Sequence, residues 1–277
     1  MTPPNRRPAA DPAPDSGTGD LSVPLLGLNG KSSATVALPP AFSAPFRPDL
    51  IQRAVVAAQS HRIQPHGTSP TAGVRHSVEW SGKGRGVART PRLMDSMRGA
   101  QAPNTVGGRP AHPPRVEAIR TKKINRKERR AAFASALAAT RQSRLATTRG
   151  HELPSALTLP LVLEDPVEEI GTSADARELL RRLKVWSDVV RAQDGTHLRA
   201  GRGRRRGRVR RTPRSLLVVT SAAGKARGFR NLSGVDVVPV PRLGTEDLAP
   251  GGSPGRLTLF SRAAVESLRS RLSEVDA

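Results

Sequence analysis

The apolar positions of this chain form two patterns, one typical of buried strands and one typical of amphipathic helices. Short continuous apolar runs predict strands. They lie at residues 21–28, 34–38, 157–163, 215–220, 235–240 and 256–260. Asn29-Gly30 separates the first two runs and predicts a hairpin turn, because both positions tolerate a positive φ.

Apolar residues at helical spacing predict six helices between or after these strands. We expect them to start at Pro48, to cover residues 121–144, to follow the cap Thr172/Ser173, to cover residues 187–197 and 222–232, and to follow Ser261. Strand, helix and strand in alternation predict an α/β fold with a mainly parallel sheet flanked by helices. We therefore expect one α/β domain over residues 21–277, and a disordered extension at residues 1–20, where proline and small polar residues dominate.

Residues 62–115 interrupt this order, because they show neither a helical period nor sustained alternation. The stretch contains eight glycines, seven prolines and nine Lys/Arg but only two acids, Glu79 and Asp95. A loop of this length is uncommon inside a compact domain and is usually functional or disordered. We interpret it as a long basic internal loop, an arm that becomes ordered only against a polyanion and could reach several tens of Å, at roughly 3.3 Å per residue.

The net charge narrows the class of partner. The 277 residues carry a formal charge of +23, which destabilises a compact chain unless anions are bound to it. Nucleic acid is the first candidate and an anionic membrane the second, although no apolar run approaches the length of a membrane span. The N-terminus lacks the order of a signal peptide, so the cytoplasm is the expected compartment. The absence of cysteine excludes disulfides.

Two basic segments besides the arm are candidates for contact with RNA. Residues 199–214 contain nine arginines and no acid, and they lead directly into a predicted strand. Such blocks are often disordered tails, but this one is confined between structural elements, so we favour a phosphate-binding loop. Residues 121–130 are rich in Lys and Arg with the single acid Glu128; a solvated helix face is the alternative to RNA contact.

Enzymatic sites are poorly supported by the motifs. Residues 82–86 (GKGRG) lack the spacing of a Walker loop and follow no strand in the dinucleotide-binding manner. The six histidines are dispersed, so no metal site is expected. The acids between Glu164 and Glu169 follow a strand end, where α/β enzymes place carboxylates, but no nucleophile accompanies them. We expect them to pair with the arginines of 199–214 or to initiate a helix.

Five stretches resemble one family in its order along the chain. They read FRPDLIQRAVVAAQSHRIQPHGT, GKGRGVARTPR, VGGRPAHPPRVE, KKINRKERR and LAPGGSPGRLTLF. Together they resemble ribosomal protein L-four of the large subunit, archaeal and eukaryotic branch, over roughly residues 21–270. One departure lies before the glycines: the family usually reads Ser-Trp where this chain reads Trp80-Ser81.

The resemblance implies a Rossmann-like α/β domain and a structural role in the large ribosomal subunit. It also implies that the arm threads ribosomal RNA (rRNA) to the peptide exit tunnel and forms a constriction there with a neighbouring ribosomal protein. The loop tip would be Ser81, Gly82, Lys83, Gly84, Arg85 and Gly86. The implied partners are rRNA and ribosomal proteins, with no homo-oligomer and no cofactor apart from structural Mg²⁺ held through the rRNA.

Resemblance and charge together give the expected rRNA-binding residues. They are Arg62, Arg75, His76, Trp80, Lys83, Arg85, Arg89, Arg92, Arg98, Arg109, His112, Arg115, Lys122, Lys123, Arg126, Arg202, Arg204, Arg205, Arg206 and Arg208. Two other classes stay open at this point. A nucleotide-dependent enzyme would need a phosphate loop that the sequence lacks, and a regulator that binds messenger RNA would use the same arginines.

Overall fold

The computed structural model describes residues 21–154 and 157–276; the predicted extension at 1–20 lies outside them. The chain divides into two compact units. The first combines the residues up to 58 with those from 123 onward, and the second is residues 59–122. Each unit is described by itself below.

A six-stranded sheet forms the centre of the first unit. Its strands are β1 (Ser22–Leu26), β2 (Ser32–Ala37), β5 (Leu161–Leu163), β8 (Leu217–Thr220), β9 (Asp236–Pro239) and β10 (Thr258–Ser261). Their order is β2-β1-β5-β10-β8-β9, and only the β1–β2 pair is antiparallel. The mainly parallel sheet predicted from the apolar runs is confirmed.

Helices cover both faces of this sheet, which is why the strands β5, β8 and β10 are buried at every position. The longer helices are α1 (Pro48–Ser60), α2 (Arg126–Thr140), α3 (Ser143–Arg149), α4 (Ser173–Arg182), α5 (Trp186–Asp194) and α8 (Arg262–Asp276). Val162, Val219 and Phe260 point into one apolar cluster, with α1, α2 and α8. Leu163 and Val218 point into the other, with α3, α4 and α5.

The remaining elements are short. A small hairpin in the first unit pairs β6 (His197–Leu198) with β7 (Arg210–Arg211), and α6 (Gly201–Arg205) lies between them. The one-turn helix α7 (Thr245–Leu248) follows the sheet strand β9. In the second unit β3 (Val78–Trp80) pairs with β4 (Pro91–Leu93) in an antiparallel ladder.

The predicted helix over residues 222–232 is wrong, because this stretch holds only one 3-10 turn, Arg227–Phe229. Glu168 draws the backbone away from helical geometry: its carbonyl accepts the Ala226 N–H and its carboxylate accepts the Ser221 N–H. Gly228 then passes so close to the Thr172 carbonyl that a Cβ would collide with it. These contacts are distant in sequence and override the local helical pattern.

Two other predicted elements have different bounds. The helix expected over residues 121–144 begins only at Arg126 and ends at Thr140, and α3 starts after a break at Arg141-Gln142. The strand expected over 157–163 is limited to β5, since Pro160 precedes the ladder and cannot donate to it. The helices α1, α4, α5 and α8 lie close to their predicted positions.

Arg256 is buried at the end of the sheet, just before β10, and joins three parts of the chain. Its guanidinium donates to the Ser215 carbonyl at 2.9 Å, to the Asp247 carbonyl at 3.0 Å and to the Asp236 carboxylate at 2.6 Å. Only 1% of the side chain is exposed. A buried guanidinium is stable only when its donors are matched by acceptors, and here they are.

We predict that Arg256→Ala destabilises the domain by about 3–5 kcal/mol, because it leaves buried acceptors without their donor. Urea unfolding at neutral pH would measure the loss. The exposed Arg230 lies in the same unit, and Arg230→Ala is the matched control, expected to change stability by no more than about 0.5 kcal/mol. Equal unfolding midpoints for the two variants would contradict the role given to Arg256.

Candidate nucleic-acid interface

Residues 59–122 form two legs that are hydrogen-bonded to each other. The Thr68 N–H donates to the Pro114 carbonyl at 3.1 Å. Further out, the Gln101 side-chain amide donates to the carbonyls of Val74 at 3.2 Å and His76 at 2.5 Å. The β3–β4 ladder continues the pairing. The segment thus has local order of its own, made by contacts between distant positions.

Glycines make this pairing of legs possible. A Cβ on Gly73 would lie 2.6 Å from backbone atoms of Arg109 and 2.8 Å from the carbonyl carbon of Gly108, both on the other leg. Gly73 also has a φ of +79°, which favours glycine. The two legs can therefore approach to backbone contact, and the segment stays thin.

The predicted tip lies in the connection between β3 and β4. Gly82, Gly84 and Gly86 all have positive φ, and nothing lies within 4 Å of the Cβ that a substitution would add. Trp80 is 65% exposed, whereas Ser81 is buried with 8% exposure. The Trp80-Ser81 order therefore directs the aromatic ring outward and the small hydroxyl inward.

The basic side chains expected to bind rRNA are exposed, with one exception. Arg92 is half-buried and donates to the Met97 carbonyl at 2.8 Å. Within the described part of the chain, no Lys or Arg from Arg75 to Lys123 forms an ion pair with an acid. The positive charge of this segment is thus left for a partner outside the protein.

The arginine run at 199–214 forms the β6–α6–β7 hairpin. Arg202, Arg204, Arg205, Arg206 and Arg208 are exposed on it, and none of the five forms an ion pair among the described residues. The base of the hairpin is fixed: Arg214 pairs with Asp236 at 2.6 Å and leads into β8. The hairpin therefore exposes a group of arginines that are unpaired within the described structure, while its base is held by the Arg214–Asp236 ion pair.

Lys122, Lys123 and Arg126 are exposed where the chain enters α2. Cations at a helix N-terminus oppose the helix dipole, so this segment favours a bound anion. The structure adds Arg129 and Arg130, which are exposed on the same helix and which the predicted site did not include. The sequence could have identified both residues, because they end the basic stretch KKINRKERR.

The acids after β5 make internal contacts and do not pair with the arginine run. Glu168 is buried and accepts from Ser221, Ser261 and Lys225, the last at 2.6 Å. Burial alone would raise the pKa of Glu168, but these donors outweigh it and hold the pKa below its ordinary value. Asp165 accepts the Ala263 N–H at the start of α8 at 2.7 Å. The pairing expected with the 199–214 arginines is wrong for Glu168, and a helix-starting role fits Asp165.

Ser215, His151 and Asp188 meet in the core but do not form a catalytic triad. Both Ser215 Oγ, at 2.6 Å, and His151 Nδ1, at 3.0 Å, contact the same Asp188 oxygen. His151 Nε2 accepts the Leu257 N–H at 3.4 Å, so it is not directed at the serine. A nucleophilic serine must donate to the histidine, and all three side chains are buried here. The cluster therefore has a structural role.

Comparison with known proteins identifies the family. Residues 36–271 match the sequence model of the ribosomal protein L4/L1 family. The chain belongs to this family. Curated relatives include the large ribosomal subunit protein uL4 of Methanosphaera stadtmanae, 43% identical over 89% of this chain and 95% of the relative.

Two further archaeal relatives with the same protein name match over their whole length. The protein of Haloquadratum walsbyi is 43% identical over 91% of this chain, and that of Methanopyrus kandleri is 44% identical over 92%. The resemblance stated from the sequence is confirmed, and the family is one of ribosomal proteins, not of enzymes. Among the described residues no helix is long and apolar enough to cross a membrane, and no group of His, Asp or Glu could hold a metal ion.

The Asp188 cluster generates a prediction about acid stability. Burial would raise the pKa of Asp188, but donors from His151, Ser215 and Arg191 outweigh it and hold the pKa at about 2. A carboxyl with a lowered folded-state pKa adds stability that is present above its ordinary value and lost as the pH falls. Between about pH 4 and pH 2 the protein should lose about 2 kcal/mol from this group.

Ser215→Ala removes one donor, so we expect the pKa of Asp188 to rise towards its ordinary value. The variant should then be less stable at neutral pH but lose less stability between about pH 4 and pH 2, because the gap between the unfolded and folded pKa is smaller. Urea unfolding measured from pH 5 downward would show the smaller acid loss. Ser270→Ala, on the exposed side of α8, is the control and should follow the unmodified protein. Identical acid profiles for all three proteins would contradict the prediction.

Proposed function

We propose that this protein is a structural constituent of the large ribosomal subunit that binds rRNA through three basic segments. These are the arm at residues 62–115, the segment at 122–130 and the hairpin at 199–214. The relatives carry the name of a large-subunit protein. As a ribosomal protein, the chain acts in the cytoplasm.

The observation that carries the proposal is the separation of charge within the chain. Acids of the first unit pair with neighbouring groups, as Asp236 does with Arg256 and Glu168 with Lys225. In contrast, the cations from Arg75 to Arg130 and from Arg202 to Arg208 are mostly exposed and form no ion pair with an acid within the described structure. Phosphates would neutralise them and release counterions, which provides affinity. Most recognition would then follow RNA shape and not base sequence.

We further propose that residues 62–115 are the long loop of the family and reach the wall of the peptide exit tunnel. The close approach of the two legs at Gly73 and Gly108 supports this, since a thin hairpin can pass between RNA helices. The open glycines at 82–86 suit a tip in a narrow space. Trp80, largely exposed, would stack on an unpaired base beside the tip. The sheet covered on both faces would be of the Rossmann-like type.

The partners follow from this placement. They are large-subunit rRNA and neighbouring ribosomal proteins, one of which faces the tip at the tunnel constriction. We propose no homo-oligomer and no cofactor of the protein's own; structural Mg²⁺ would be held through rRNA phosphates. Free in solution, the arm is expected to open this pairing of its legs part of the time, because its own charges repel each other until RNA is bound.

Excision of the arm tests the proposal. The Thr68–Pro114 hydrogen bond places the two legs side by side, so a Gly-Ser-Gly linker can replace residues 69–113. Among the described residues neither apolar cluster includes a residue of 59–122, so the domain should still unfold cooperatively. We expect at least about tenfold less of this variant than of the intact chain in large subunits washed at about 0.5 M salt.

Sucrose-gradient sedimentation would measure both proteins in the same cells. If the intact chain runs free of the subunit after the wash, the ribosomal assignment fails, and a regulator that binds messenger RNA becomes the better hypothesis. If the excised variant enters normal subunits at the level of the intact chain, the role of the arm is wrong.

The hairpin is tested by the salt dependence of RNA binding. Arg205→Ala/Arg206→Ala should reduce the slope of log K against log salt by about 1.4–1.8, at roughly 0.7–0.9 per lost phosphate contact. The probe is protein-free large-subunit rRNA. The control is Arg177→Ala/Arg181→Ala. It removes two cations of α4 that lie over the ring of Trp186 on α5. Equal slopes for both double variants would show that RNA binding depends only on the net charge of the protein. The hairpin would then have no specific role.

A further inference from the structure

An apolar groove lies on the first unit, and no residue of the arm or the hairpin lines it. It has a volume of about 1270 Å³ and runs between α2, the Pro40–Ser43 turn, the start of α7 and the end of α8. Leu38, Leu243 and Leu272 lie along it, together with the half-buried ring of Phe133. We call it the α2–α8 groove. It exceeds the roughly 300–1,000 Å³ of small-molecule sites, so a peptide segment fits it better.

The rim of the α2–α8 groove is basic. Arg126, Arg129 and Arg130 contribute from α2, and Arg269 and Arg271 from α8; no Asp or Glu occurs among the described residues that line it. Positions 126, 129, 130 and 133 fall on one face of α2, so the arginines and the Phe133 ring face the groove together. Like charges at this spacing disfavour the helix and need an anionic partner to offset them.

Two of the rim arginines are fixed in the wall. Arg271 donates to the carbonyls of Val240 and Leu243, and its guanidinium lies 5.2 Å from the centre of the Phe133 ring. Arg269 donates to the Ala37 carbonyl at 3.0 Å. The three exposed arginines of α2 have no acid partner among the described residues. The groove therefore combines a rigid wall with a row of free cations.

We infer that the α2–α8 groove binds a segment of another protein that carries acidic side chains beside apolar anchors. Carboxylates would meet the arginine row while Leu- or Phe-type side chains fill the apolar floor. RNA fits less well. The floor offers few partners to base edges and ribose hydroxyls, which lose free energy when buried without hydrogen bonds. Arg271 already lies over the Phe133 ring that a base would stack on. This inference does not rest on the proposed rRNA binding.

Fluorescence anisotropy with the full chain tests the inference. The probe is a labelled synthetic peptide of Leu and Glu, with Leu at helical i, i+3, i+4, i+7 spacing. A peptide of the same composition, with Leu and Glu in separate blocks, controls for charge alone. We expect the patterned peptide to bind at least about tenfold more tightly, because only it presents both faces at once. Equal affinities, or no binding of either, would overturn the inference.

Charge reversal locates the site. Arg126→Glu/Arg129→Glu/Arg130→Glu should weaken the patterned peptide by at least about tenfold. Arg204→Glu/Arg205→Glu/Arg206→Glu makes the same change of charge on the hairpin and should weaken it by less than about twofold. Equal losses in the two triple variants would mean that the peptide follows net charge, and the inference would fail.

A substitution without charge separates the peptide site from an RNA surface. Ala134 is half-buried in the wall, and Ala134→Trp would fill the groove. It should weaken the patterned peptide by at least about tenfold and change the affinity for rRNA by less than about twofold, since the basic surfaces stay intact. Circular dichroism would check folding. A loss of rRNA affinity with the peptide affinity unchanged would identify the groove as an RNA surface and overturn the inference. Because the peptide assay contains no RNA, its result does not depend on the proposed function.

Discussion

Buried ion pairs and hydrogen bonds at the ends of the central strands hold the layers of the first unit together. The inner strands β5, β8 and β10 are only three or four residues long, so the ladder itself provides few hydrogen bonds. Arg256 ties two strand ends to the α7 region, Asp188 ties α5 to β8, and Glu168 ties β10 to the loop after β8. Each group is stable in the core because its partners are complete.

Because acids are used for contacts inside the first unit, few are left to pair with the cations of the exposed basic segments. The chain has 23 acids against 46 Lys and Arg, and several of the acids are committed to contacts within the first unit. Among the acids that the structure describes, Glu168 and Asp188 are buried. The excess of cations falls on segments that add nothing to the two apolar clusters. A protein arranged in this way folds through its core and keeps its basic segments for an external polyanion, which also relieves their mutual repulsion.

The sequence predicted what depends on local pattern and charge. Continuous apolar runs predicted the strands of a sheet that has helices on both faces. Apolar residues at helical spacing predicted α1, α4, α5 and α8. Charge alone predicted that the arginines of the hairpin would be exposed. The failure at residues 222–232 has a specific cause, since Glu168 lies more than fifty positions away and its contacts are not visible in a local window.

The same limit applies to the site. The pairing of the two legs depends on contacts such as Gln101 with Val74, which no periodicity reports. The burial of Ser81 beside the exposed Trp80 likewise became visible only in three dimensions. Residue type could identify the cations of the arm, but it could not show which backbone atoms approach each other.

Helix α2 shows why positive charge alone does not identify a partner. Its buried face, with Ala132, Ala136 and Ala139, packs in the core. The other face carries Arg126, Arg129 and Arg130 and was predicted, from charge alone, to contact RNA. A phosphate backbone needs cations and room, and it needs no apolar floor. The floor beside these arginines is therefore the informative feature, because an apolar surface beside free cations matches a ligand with apolar and acidic groups. In the described structure the arm and the hairpin expose single large apolar side chains, such as Trp80 and Leu198, among their cations.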